Sequence, residues 1–190
     1  MKKIGFFGGC FNPPSNIHIN LAKELVINKI VDEVIFVPVG NYYKKQNLID
    51  AKHRYNMLKL ACEDYPYLDV EDIAVKSEST LYATDTFELI NEKYKNIAEI
   101  YLIMGSDNFI KISTWKNYEN IIEKYKYIVI ERPNYKEKIN NRNNVIYYNL
   151  QQEEDISATK IRHLLKNKDD TRRYLNDKVI KYIEDNQLYK

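Results

Sequence analysis

Four short segments of this chain carry residues suited to holding phosphate. The first is GGCFNPPSNIH, residues 8–18. Its glycines, Gly8 and Gly9, let a backbone turn sharply and approach a ligand closely. The helix start that follows offers unpaired N–H groups and the positive end of a dipole. His18 lies in that first turn and could donate to a phosphate oxygen. On these residues alone, a plain strand-to-helix turn with His18 on the surface is an equal alternative. No Gly-Lys-Ser/Thr follows, so this is not a Walker loop, and G-x-G-x-x-G is absent. The second segment is ISATKIR, residues 156–162. Ser157 fits an N-cap, Thr159 the first turn, and Arg162 the same helix, which together make a second anion site. A capped helix with a solvated Arg162 is the alternative. The third is GSDNF, residues 105–109, where Asp107 could accept ribose hydroxyls or simply form an Asp-Asn turn. The fourth is GNYYKK, residues 40–45, whose lysines could reach phosphates or be solvated.

Those segments need elements to position them. Residues 3–7 form an apolar run that ends at Gly8-Gly9, which predicts a buried strand entering a tight turn. Beyond Pro13-Pro14, Ser15 or Asn16 can cap a helix with apolar positions at Ile17, Leu21, Leu25 and Ile27. Further strands are predicted at 33–39, 68–73, 99–104, 127–131 and 145–148. Helices are predicted at 51–65, 84–94, 118–124, 157–165 and 177–186. Residues 41–50 and the Asn-rich stretch 134–144 read as loops, the latter mobile. Alternating strands and helices imply a mainly parallel sheet flanked by helices, with a helical C-terminal part. Ligands in such sheets bind beyond the carboxyl ends of the strands.

The totals bound the class. With 190 residues, no repeat and no linker, the chain reads as one domain, 1–190. A net charge of +2 argues against a nucleic-acid partner. No apolar run approaches the ~18 residues of a membrane span, and the N-terminal run is too short for a signal peptide. A cytoplasmic location is therefore expected. Cys10 and Cys62 lack metal-ligand spacing, so no protein-held metal is expected. The 17 tyrosines accompany abundant Asn, Ile and Lys, so most are assigned to packing. Homo-oligomerisation is left open.

Taken in order, the segments resemble the bacterial nicotinate mononucleotide adenylyltransferases of the HxGH nucleotidyltransferase superfamily, over nearly the whole chain. Residues 4–14 look like that family's GGTFDPP strand and turn, and VPVGNYYKK like its phosphate loop. AKHRYNMLKLA, with His53, Arg54 and Met57, is similar to its second helix. YATDTFELI, IMGSDNFIKISTW, ISATKIR and the ending VIKYIEDNQLY resemble further family segments. The resemblance implies a Rossmann-like nucleotidyltransferase fold. It also implies transfer of AMP from Mg²⁺-bound ATP to a pyridine mononucleotide, with release of pyrophosphate and no covalent intermediate. It assigns catalysis to His18, Lys45 and Arg162. Nucleotide binding falls to Gly8, Gly9, Cys10, Phe11, Ser15, His18, Gly105, Asp107, Ile156, Ser157, Thr159 and Arg162. Lys44, Tyr82, Thr84, Asp85, Thr86 and Trp115 would surround the acceptor, with its ring stacked on Trp115.

The departures from the family pattern bear on chemistry. Ser15 stands where the family has its first motif His, removing an imidazole donor worth ~10²–10³ in rate. Ile17 replaces Gly and adds a branched side chain where the nucleotide needs room. Asn12 replaces an Asp, so any help to Mg²⁺ is weaker, and Ala83 removes an acceptor-facing hydroxyl. Three readings stay open at this point. One is an active nicotinate mononucleotide enzyme. Another is an adenylyl- or cytidylyltransferase for a different phosphorylated acceptor. The third is a weakened paralogue that only binds nucleotides.

Overall fold

The computed structural model describes residues 1–131, 142–149 and 157–190. Strands β1 (Lys2–Gly9), β2 (Glu33–Pro38), β3 (Leu68–Val70), β4 (Ala98–Gly105), β5 (Lys126–Ile130) and β6 (Val145–Tyr148) form one sheet in the order β3-β2-β1-β4-β5-β6. Every pairing in it is parallel. This is the doubly wound strand order, with its topological switch point between β1 and β4. The helices are α1 (Asn16–Ile27), α2 (Ala51–Cys62), α3 (Ala83–Tyr94), α4 (Ser106–Phe109), α5 (Tyr118–Ile122), α6 (Ala158–Asn167) and α7 (Asp177–Asp185). No described helix is long and apolar enough to cross a membrane.

Both sheet faces are buried, so the strands read as unbroken apolar runs whose side chains part alternately. Phe7, Val34, Phe36, Tyr101, Ile103 and Ile128 face a core closed by Leu21 and Leu25 of α1, Met57 and Leu58 of α2, Ile161 of α6 and Val179 of α7. Ile4, Phe6, Ile35, Leu102, Tyr127 and Val129 face the other side, under Phe87 and Ile90 of α3, Phe109 of α4 and Ile121 of α5. Fully burying one such side chain is worth about 1.5–3 kcal/mol.

Several sequence-based expectations shift. β1 continues through Gly8 and Gly9, which extend the ladder to Val37 and Pro38 of β2 and make no turn. α1 buries Ile19, Leu21, Ala22 and Leu25, whereas Ile27, in its last turn, is 67% exposed. β3 stops at Val70, and residues 106–109 form a short helix rather than an Asp-Asn turn. Ile156, and the stretch 134–144 up to residue 141, lie outside the described residues.

Candidate active site

The carboxyl ends of β1 and β4 open into a cavity of about 1010 Å³. That is at the upper end of the ~300–1,000 Å³ typical of small-molecule sites. Gly8 and Gly9 line it from β1, and Gly105 from β4. The glycines do not supply a left-handed turn, because no glycine has positive φ. The left-handed residue is Phe11, at φ 47. Its ring folds back over Gly9, where an added Cβ would stand 2.9 Å from Phe11 Cζ. Gly9 therefore makes room for a ring. A Cβ on Gly8 would meet nothing within 4 Å and would stand in the cavity. Gly8 thus keeps space for a ligand. Gly8→Ala is expected to fold normally while raising the KM for nucleotide about 10-fold, since the backbone can no longer be approached closely. Steady-state kinetics with a melting curve checks this, and an unchanged KM would remove Gly8 from the binding surface.

Behind the glycines, aromatic rings hold His18. Its ring centroid lies 5.1 Å from Phe11, edge to face, and 5.9 Å from Phe7. Ser15 is the N-cap of α1, and His18 occupies the third helical position. The Ser15 backbone N–H donates to His18 Nδ1 at 3.1 Å, and Ser15 Oγ lies 2.8 Å from the same nitrogen. A nitrogen accepting a backbone N–H carries no proton of its own. The proton then sits on Nε2, and the neutral ring is a donor with a fixed tautomer. This revises the reading of Ser15: it lines the cavity, but its hydroxyl is spent on aiming His18. Ile17 lines the cavity too, as its replacement of Gly implied.

The loop after β2 brings Lys45 to the cavity, with Nζ 3.5 Å from Cys10 Sγ. Cys10 lines the cavity, whereas burial pushes the Cys62 thiol up to about 12. Lys44 is exposed and off the cavity wall, where Tyr43 stands instead. Beneath this loop lies Arg54 of α2, fully buried. Its Nε donates to the Ile49 carbonyl at 3.0 Å, Nη1 to Cys10 O at 2.9 Å and Nη2 to Val39 O at 2.6 Å. Burial pulls this guanidinium below its usual range, but arginine stays charged at neutral pH. It is a clamp joining the ends of β1 and β2 to the start of α2. The sequence carried one sign of it: a cation on the buried stripe formed by Ala51, Met57, Leu58 and Ala61.

Ser157, the N-cap of α6, and Arg162 within that helix line the same cavity. Ser157 Oγ accepts the Lys160 N–H at 3.2 Å, so it caps the helix as expected. Thr159 is off the wall and accepts from Arg162 Nη2 at 3.1 Å. Its hydroxyl orients the arginine. Asp107 lines the cavity at the start of α4. Trp115 and Thr86 line another part of the cavity, with Trp115 tilted against Phe87 at 6.3 Å. Other residues expected around an acceptor lie elsewhere. Asp85 accepts the Tyr82 N–H at 2.9 Å as the capping partner of α3. Tyr82 is exposed under Lys116, and Thr84 is buried away from the wall. Leu81, Ala83 and Phe87 line the cavity instead.

The family model for cytidylyltransferase-like proteins matches residues 6–164. The nicotinate-nucleotide adenylyltransferase of Bacillus subtilis is 31% identical, covering 100% of this chain and 99% of its own length. Among solved structures, the Plasmodium falciparum nicotinic acid mononucleotide adenylyltransferase complexed with NaAD superposes with a TM-score of 0.82 at 21% identity. That match covers 100% of this chain and 98% of the other. The same protein complexed with APC gives 0.79 at 20% identity, over the same shares of both chains. At those identities the structures speak for the fold alone, and it is the shared sequence along both chains' full length that decides the relationship. The chain belongs to the cytidylyltransferase-like family and, within it, to the nicotinate-nucleotide adenylyltransferases.

Proposed function

We propose that the cavity holds ATP and nicotinate mononucleotide together and that the chain joins them. The mononucleotide's phosphate oxygen attacks the α-phosphorus of ATP in line. The bond from that phosphorus to the bridging oxygen breaks, pyrophosphate leaves, and nicotinate adenine dinucleotide remains. One observation carries this reading. One cavity at the sheet's switch point is lined both by the basic side chains His18, Lys45 and Arg162 and by the aromatic Trp115 and Phe87. The relatives are named for this reaction, and the Plasmodium falciparum structure was solved with NaAD.

The residues divide the work by chemistry. Gly8 lets the triphosphate lie against β1. Neutral His18 donates Nε2–H to a phosphate oxygen, and Lys45 and Arg162 neutralise charge that builds on the departing pyrophosphate. Ser157 and the start of α6 add backbone donors there. Asp107 accepts ribose hydroxyls, and Trp115 stacks on the pyridine ring. Mg²⁺ enters as part of the ATP substrate. Mg²⁺ commonly rides on substrate phosphates. ATP and the acceptor are small cytoplasmic metabolites, which supports a cytoplasmic site of action.

Pyrophosphate release tests this directly, with ATP and CTP crossed against nicotinate mononucleotide, nicotinamide mononucleotide and simple phosphorylated alcohols. ATP with nicotinate mononucleotide is expected to give the highest kcat/KM, by about 10-fold or more, because discrimination rests on groups the site can pair. Turnover confined to another pair would replace the acceptor or the nucleotide. Silence throughout, with ATP still raising the melting temperature, would leave a binding module.

A further inference from the structure

Asn12 is buried at 5% exposure, and its polar atoms tie its own segment to three others. Oδ1 accepts the Tyr189 hydroxyl at 2.8 Å and the Ile49 N–H at 3.5 Å. Nδ2 donates to the Asn47 carbonyl at 2.7 Å, and the Asn12 carbonyl accepts Arg162 Nη1 at 3.0 Å. The donors and acceptors agree with one orientation of the amide. Asn12 therefore joins the end of β1, the loop that carries Lys45, and the helix that carries Arg162. The fourth segment, following α7, touches neither Lys45 nor Arg162 by any of these bonds. It meets the network only through Tyr189.

The chain reaches that contact through two left-handed residues, the first of which closes α7 with the Leu188 N–H donating to the Ile183 carbonyl at 3.0 Å. Gln187 and Tyr189 both have left-handed backbones, at φ 53 and φ 62. Such a conformation is costly for a bulky residue and persists where the surroundings over-determine it. Burial pushes the Tyr189 hydroxyl well above the usual tyrosine range, so it remains a proton donor. Its ring packs on the α1/α2 core. The hydroxyl is thus a separable part: removing it leaves the ring's packing in place.

We propose that Tyr189 is a positioning residue of the triphosphate site, acting through Asn12 to hold the Lys45 loop and Arg162 in mutual register. This rests on the ATP-binding part of the reading above and not on the identity of the acceptor. Loss of the hydroxyl leaves Asn12 Oδ1 with the 3.5 Å Ile49 contact alone, which loosens the tie between the Lys45 loop and the backbone whose carbonyl accepts Arg162.

The experiment is a double-mutant cycle of Tyr189→Phe and Asn12→Ala. ATP affinity is read by titration calorimetry with Mg²⁺ and no acceptor, and kcat and KM are read by pyrophosphate release. Tyr189→Phe is expected to weaken ATP binding and lower kcat/KM for ATP by roughly 5- to 10-fold, about one neutral hydrogen bond. The acceptor KM should stay put and the melting temperature should fall by only a few degrees. In the Asn12→Ala background the same substitution should change ATP binding by less than about 2-fold. Unchanged ATP affinity in Tyr189→Phe would overturn the proposal, as would a full-sized additive effect in the Asn12→Ala background. A wild-type protein that binds ATP but turns over no acceptor would sink the adenylyl-transfer reading and leave this test standing on affinity alone.

Discussion

His18→Ala is expected to lower kcat by about 10²-fold or more while the protein stays folded. A donor aimed at charge developing in a transition state is worth this much when it is pre-oriented and shielded from water. The first condition is met here. Ser15 fixes the ring nitrogen that faces away, and Phe7 and Phe11 wall the ring on its other sides. The helix loses one capping interaction, which costs about 0.5–2 kcal/mol, so melting should drop by only a few degrees. KM should move much less than kcat. Equal rates for the variant and the wild type would exclude His18 from the chemistry.

The second large effect concerns stability. Arg54→Met keeps the length and apolar stem of the side chain but removes every donor. The carbonyls of Ile49, Cys10 and Val39 then face each other without a partner. Each buried acceptor left unpaired costs about 1–3 kcal/mol, and breaking a buried charged arrangement typically costs about 3–5 kcal/mol in total. At about 2–4 °C per kcal/mol for a chain of this size, melting should fall by roughly 6–20 °C. ATP affinity should fall as well, since Cys10 and the Lys45 loop lose their clamp. Arg54→Lys, which keeps the charge but not the fork of donors, should recover part of the stability. A melting drop under about 2 °C for Arg54→Met would mean that other groups satisfy those carbonyls.

Much of this was legible in the residues because burial leaves a pattern. The runs at β2 and β4 are apolar on both faces and could hardly be anything but central strands. His18 and Arg162 each follow a helix start of the kind chemistry favours for anions, and both line the cavity. Ile27 could not be placed by spacing, since it falls in the last turn, where α1 has left the core. The glycine turn was misjudged for a different reason. Two glycines signal freedom, and only the fold shows whether φ or space is what they provide. The resemblance assigned Asp85 and Ser15 to ligands, yet each is engaged in capping a helix, the use that residue type had already suggested for Ser15. Asn12 was weighed by the charge it lacks, while its role depends on four bonds it makes. One of them reaches Tyr189, 177 residues away, a distance over which local sequence carries no signal.

That crowded asparagine also bears on how the protein ages. Asparagines commonly decay to aspartate when the next residue's backbone nitrogen attacks the side-chain amide. The residue after Asn12 is Pro13, whose nitrogen carries no hydrogen and is closed into a ring. The usual route to deamidation is thereby blocked at Asn12. An aspartate there would turn a carboxylate oxygen toward the Asn47 carbonyl and replace an attraction with a repulsion. The proline thus acts as a chemical preservative of the side chain that ties the end of β1 to the Lys45 loop and to Tyr189.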